Sequence, residues 1–223
     1  MRRFMCAAAC VLAALVIPTA ALAGGYTLHP SGFGEHSYSA WKGQEGLPDS
    51  TGGKNQALYF QKMTSTTTVA AGVAVFEGVE GLATSDLGDL EFWWRTDGHC
   101  GAGAPRFNIR IQTTLGPRVT QFVGCQEMIQ GATQVAPNGQ TFEQRTFPAG
   151  AILPGTVVSL SLVFDEGNDV GQGFVYLDDI KAANHVWTSA SDNGGGATLT
   201  ADPTGTDFVS SLLGESVLAA LTR

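Results

Sequence analysis

The chain has 223 residues, 20 of them acidic against 12 basic, and its formal charge is −8. That balance argues against a nucleic-acid partner, because phosphate recognition needs a concentrated basic surface that the excess of acid would oppose at long range. With 29 Gly, frequent Thr and Val, and only four Met and four Trp, the composition suits short strands joined by many turns rather than long helices.

The first 23 residues have the anatomy of a secretory signal. Arg2 and Arg3 open a basic region, Phe4 to Ile17 is apolar, and Pro18 precedes Ala21-Leu22-Ala23, so cleavage is expected after Ala23. The apolar run falls short of the roughly 20 residues needed to cross a bilayer, and no later segment reaches that length without charge. No membrane span is expected, and the mature chain should be secreted or extracytoplasmic. Cleavage removes Arg2 and Arg3, leaving 10 basic residues against 20 acids and a charge of −10. It also removes Cys6 and Cys10, so Cys100 and Cys125 remain, and two cysteines in an exported domain predict a disulfide. Such a bond closes a loop of about 26 residues, worth roughly 3 to 4 kcal/mol by chain entropy. A zinc site using His99 lacks any supporting ligand spacing.

The mature chain is long enough for one well-packed β-domain, expected over residues 24–191. Residues 24–53, rich in Gly, Ser and Pro with Tyr26, Phe33, Tyr38 and Trp41 spaced through them, read as irregular or edge structure laid over a core. Strands are predicted at Ala57 to Lys62 and at Val69 to Phe76; the near-continuous apolarity of the second implies burial on both faces. Leu90 to Arg95 alternates cleanly, with Leu90, Phe92 and Trp94 facing the core and Glu91, Trp93 and Arg95 facing outward. Arg106 to Gln112 repeats the pattern, with Phe107, Ile109 and Ile111 inward and Arg106, Asn108, Arg110 and Gln112 outward. These two strands are expected to be neighbours, joined by the loop from Asp97 to Pro105. Val119 to Val123 follows, ending where Cys125 can return beside Cys100.

From Glu127 to Gly150 the sequence is polar and turn-rich, with a tight turn at Pro137-Asn138-Gly139. Thr156 to Asp165 places Val158, Leu160, Leu162 and Phe164 on one face, and Gly173 to Ile180 forms the closing strand. Seven or eight short strands with turns between them predict an all-β, two-sheet antiparallel sandwich. Residues 192–223 read as a linker and a short C-terminal helix over Asp207 to Leu221. Its apolar residues Phe208, Leu212, Leu213, Val217, Leu218 and Leu221 lie near helical spacing.

The closing strand Gly173-Phe174-Val175-Tyr176-Leu177-Asp178-Asp179-Ile180 resembles the final strand of bacterial carbohydrate-binding-module-like jelly rolls, in which an apolar run ends in an Asp pair. The stretch His99-Cys100-Gly101-Ala102-Gly103-Ala104-Pro105-Arg106-Phe107 is similar to sequences in poorly characterised secreted bacterial proteins of comparable size. Together they span Ala57 to Ile180. The resemblance implies a jelly-roll sandwich, and jelly rolls of this type often hold a structural Ca²⁺ through an Asp of the last strand, which here points to Asp178 and Asp179. Fold likeness alone supplies no function.

Catalytic signatures are absent. His29, His36, His99 and His185 sit in no nucleophile, zinc or triad motif, and neither Gly-x-Ser-x-Gly nor His-Glu-x-x-His occurs. The expected function is therefore non-enzymatic binding of a carbohydrate or cell-envelope glycan. Trp93 would stack on a sugar ring, while Glu91, Arg95, Arg106, Asn108, Arg110 and Gln112 would bond hydroxyls or an acidic sugar. The competing expectation is a structural or protein-interaction module with that face covered and the C-terminal helix docked on the sandwich or on a protein partner. The exposure of Trp93 discriminates the two.

Overall fold

The computed structural model describes residues 25–49 and 54–192; the signal segment 1–23 and the helix expected over Asp207 to Leu221 lie outside them. The described residues form twelve strands and four short 3-10 turns; the strands are β1 (Thr27–Phe33), β2 (Ser37–Lys42), β3 (Ala57–Lys62), β4 (Ala71–Glu77), β5 (Leu90–Arg95), β6 (Arg106–Gln112), β7 (Arg118–Gly124), β8 (Ile129–Val135), β9 (Thr141–Phe147), β10 (Thr156–Phe164), β11 (Phe174–Ala182) and β12 (His185–Trp187). They form two antiparallel sheets. The first runs β1-β4-β10-β6-β7, and the second runs β2-β3-β11-β5-β9-β8 with β12 added along β11.

Period-two alternation explains the packing. Leu58 and Phe60, Leu90 and Phe92, and Val175 and Leu177 come from the second sheet. They meet Ala74 and Phe76, Phe107, Ile109 and Ile111, and Leu160, Leu162 and Phe164 from the first. A row of rings crosses between the sheets, from Phe92 to Phe107 (5.7 Å between centroids), to Phe76 (6.1 Å), to Trp187 on β12 (5.1 Å). Such offset and edge contacts add to the burial that dominates stability. β4 is buried along nearly its whole length, because Val73 and Ala71 pack with Val163 on the sheet's outer side.

Along one side the sandwich is closed by a corner. β1 and β2 are consecutive but belong to different sheets, and Ser39 Oγ on β2 accepts from Ser31 N and donates to Ser31 O, both at 2.9 Å. The backbones approach so closely that a Cβ at Gly32 would stand 2.6 Å from Tyr38 Cα. Glycine is required there by space rather than by its dihedral freedom. On the other side, β7 and β8 are edge strands of opposite sheets.

Of the two readings of residues 24–53, irregular or edge structure, the edge one holds: the described part supplies β1 and β2, an edge strand of each sheet, and Pro30 is tolerated because an edge strand has a free side. Three other expectations are corrected. The turn-rich stretch 127–150 contains β8 and β9 around the expected turn, where Gly139 N donates to Ala136 O. A bulge between Val157 and Ser159 shifts β10 by one residue, so Val157 rather than Val158 enters the core. Finally, β5 and β6 are not neighbours. β5 pairs with β11 and β9, β6 with β10 and β7, and the loop between them crosses from one sheet to the other.

Candidate functional site

Because β5 and β6 lie in opposite sheets, their outward residues occupy opposite outer faces of the sandwich. The single face expected from Glu91, Trp93, Arg95, Arg106, Asn108, Arg110 and Gln112 is in fact two.

The outer face at β5 is filled by the protein itself. Trp93 is 6% exposed and packs with Leu47, Ala57, Ala136 and Phe142 in a second apolar cluster, bordered by Tyr176. Leu47 comes from the segment after β2, which folds over this sheet, and Ala136 from the β8–β9 turn. Arg95 is buried: Nη1 bonds Glu45 Oε2 at 2.5 Å, Nε bonds Asp97 Oδ1 at 2.7 Å, and the guanidinium lies 3.5 Å from the Tyr176 ring centroid. Glu91 accepts from Gln144 Nε2 at 2.8 Å and Thr146 Oγ1 at 3.3 Å. All three side chains are engaged internally. The cover is supplied by Leu47 and Ala136; the aromatic residues Tyr26, Phe33 and Tyr38 of the N-terminal segment are not in this cluster.

Asp178 sits on this same face, directly across from Trp93. It is fully buried; Oδ2 accepts the backbone N–H of Leu47 and Oδ1 that of Asp179, both at 2.7 Å. Burial, reinforced by the neighbouring Asp179 charge, pushes its pKa up to about 8. Asp179 follows in a left-handed conformation (φ 42°) at the bulge where β11 loses register with β5. Its pKa is also raised, by burial and then by Glu91, Asp49 and Asp192. Among the described residues no group of three or more His, Cys, Asp and Glu is arranged to hold a metal ion. Each Asp178 oxygen already accepts one backbone N–H.

The outer face of the first sheet is different. Cross-strand register puts Ser161 (β10), Asn108 (β6) and Phe122 (β7) side by side, and next to them Ser159, Arg110 and Thr120. Phe122 is 58% exposed. Behind it stands Arg106, whose guanidinium lies 5.5 Å from the Phe122 centroid and is fixed by Asp165 through Nη1 (2.5 Å) and Nη2 (2.7 Å). Arg106 Nε also bonds Asn108 Oδ1 at 2.9 Å, which turns the Asn108 amide nitrogen away from Arg106. Gln112 serves the β6–β7 hairpin instead, donating to Gly116 O at 3.0 Å and accepting from Arg118 Nε at 3.2 Å. Aromatic surface beside amide, hydroxyl and guanidinium donors is the chemistry that sugars select.

Phe122 and its serine neighbours were missed from sequence, yet the signal exists. In Arg118-Val119-Thr120-Gln121-Phe122-Val123, Val119 and Val123 pack inward, so Phe122 is an aromatic residue on the polar side of the alternation.

At one end of the sandwich, the bonded pair Cys100 and Cys125 (Cα–Cα 5.3 Å) anchors the Gly-rich β5–β6 loop. His99 Nε2 pairs there with Glu166 Oε2. Gly101 and Gly103 make room for that carboxylate, since a Cβ at either position would collide with it. The pair has no nucleophile or metal partner beside it among the described residues. The chain matches no protein-family profile, no curated protein and no solved structure.

Proposed function

We propose that the mature chain is a secreted or extracytoplasmic, non-enzymatic, jelly-roll-like protein that binds a carbohydrate or cell-envelope glycan on the outer face of its five-stranded sheet. The observation that carries this reading is Phe122, a ring 58% exposed on the edge strand β7, beside the polar residues of β6 and β10. It is held by Arg106 and flanked by Asn108 and Arg110. Stacking on an exposed ring gives affinity, and flanking donors select hydroxyl geometry. The opposite face, which holds Trp93, is closed by the chain's own loop and takes no part.

A glycan array on the mature protein, with and without EDTA, tests the reading. Binding to at least one polysaccharide that is lost in Phe122→Ala and retained in EDTA is expected. Binding unchanged by Phe122→Ala would overturn the assignment of the face.

A second reading rests on β8, all seven residues of which are exposed and uncharged at the sheet edge. Unprotected edges pair with other chains, which suits a protein-interaction module. The bulge between Gln130 and Thr133 limits any such pairing to part of the strand. Absence of glycan binding together with a concentration-dependent oligomer would favour this alternative.

A further inference from the structure

Within the proposed glycan face, Arg110 has a property that no other described arginine shares. Arg95 is bonded to Glu45 and Asp97, Arg106 to Asp165, and Arg145 is paired with Glu143; Arg118 bonds Gln112. The guanidinium of Arg110 is half-buried and makes no hydrogen bond or ion pair within the described chain. In a chain with 20 acids, leaving one partly desolvated cation unmatched runs against the tendency of such groups to be paired. Its cross-strand neighbours are Ser159 on β10 and Thr120 on β7, hydroxyls that neither neutralise it nor block it. Glu77 on β4, the strand beyond β10, is about two interstrand spacings away, roughly 10 Å, and is already paired with His29 at 3.1 Å.

Arg110 and Phe122 are diagonal neighbours on one face, since Arg110 faces Thr120 and Asn108 faces Phe122. Diagonal positions are about 7–8 Å apart, within reach of long side chains. A pyranose ring resting on Phe122 would then project its exocyclic substituent towards the guanidinium fork. We infer that this face is selective for an acidic glycan, a hexuronate whose carboxylate is taken by Arg110 in a two-point hydrogen-bonded ion pair. The inference rests on the glycan-binding reading above and adds its ligand class. The planar fork matches a carboxylate in a way that an ammonium does not. The overall negative charge does not defeat it, because at physiological ionic strength charges beyond about 8 Å are largely screened.

The test is calorimetric titration of the full mature chain with a polygalacturonic acid oligomer, with the same oligomer methyl-esterified, and with a sulfated galactan. Tighter binding of the free acid than of the ester is expected. Arg110→Gln should weaken binding of the acid roughly tenfold to a hundredfold, as for a charge-assisted hydrogen-bonded pair. It should weaken binding of the ester far less than that of the acid, because only the charge-assisted pair is lost, and should leave the melting temperature nearly unchanged. Lys54→Gln, an equal charge change in the exposed segment before β3, should alter neither. Equal affinity for acid and ester, or binding of neither, would overturn the inference, and so would tighter binding of the sulfated polymer. Phe122→Ala separates the two ideas. If it abolishes binding of acid and ester alike while Arg110→Gln affects neither, the face stands and its acidic selectivity fails; if Phe122→Ala changes nothing, the face itself is wrong.

Discussion

Asp178 is held by two backbone donors in a place no water reaches, and its charge is the cost of that arrangement. Folding raises its pKa from 3.8 to about 8, so between those values the native state keeps a proton that the unfolded chain has shed. Stability contributed through this group therefore falls as pH climbs from about 4 to 8, and the loss is complete above 8. Asp179, also raised, acts in the same direction. In Asp178→Asn one backbone N–H loses its acceptor, which should destabilise the protein by about 1–3 kcal/mol near pH 4.5. The variant should also lose part of the decline that the parent shows towards pH 8. Thermal melts from pH 4.5 to 8.5 read both effects, and parallel profiles would show that Asp178 titrates in the ordinary range. Trp93 teaches a related lesson. Alternation correctly turned it away from the main core, but outward does not mean exposed when a loop 46 residues earlier in the chain (Leu47 to Trp93) returns to cover it. Trp93→Ala should therefore cost about 3–5 kcal/mol by urea unfolding and leave glycan binding intact where the folded fraction is unchanged. A variant as stable as the parent would place Trp93 outside the packing.

Among the elements, β3, β5 and β6 were legible to the residue: β6 alternates apolar and polar positions strictly, β5 does so apart from Trp93, and β3 is a short apolar run after a turn cluster. β8 and β9 were not, since Ile129-Gln130-Gly131-Ala132-Thr133-Gln134-Val135 lies at an edge with no buried face and so has no pattern to read. Nor could any local signal show that β5 and β6 part company, because partner choice is set by the whole sheet and not by the strand. Lys62 is another feature that reads as an ordinary strand-end residue. It is 1% exposed, and its ammonium donates to the carbonyls of Thr66 (2.9 Å), Thr68 (2.7 Å) and Asp165 (2.6 Å). All three of its protons are used, tying the β3–β4 loop to the end of β10. Lys62→Met should cost about 2–4 kcal/mol, because three carbonyls lose a charged donor. It should also make the segment from Met63 to Val69 the first site of proteolytic cutting; an unchanged digestion pattern would show the loop held by other bonds. The disulfide works at the same scale. Cys100→Ser with Cys125→Ser should lower stability by roughly 3 kcal/mol through the freed loop, and thiol titration of the parent chain without residues 1–23 should find no free thiol.

At the scale of the molecule, the two sheets make unequal surfaces from similar strands. One outer face is roofed by the chain's own loop; the other displays Phe122 with half-buried Arg110 beside it and Asn108 buried between them, and every strand needed to build it lies between β1 and β10. The core likewise closes within the described residues, with Trp187 on β12 fully buried against Phe76. No helix among them is long and apolar enough to cross a membrane. A chain ending at residue 192 should therefore still unfold in one cooperative step and keep its disulfide. The sequence beyond it carries Phe208, Leu212, Leu213, Val217, Leu218 and Leu221 near helical spacing, and a segment that short, interrupted by Gly214, is not stable alone in water. If it covers part of the sandwich, deleting residues 206–223 should cost about 1–2 kcal/mol, or roughly 2–8 °C in melting temperature for a domain of this size. It should also promote aggregation as apolar surface is uncovered. That is the expected outcome. A truncated protein that melts and stays soluble like the parent, while losing an interaction the parent makes, would instead assign the segment to a partner.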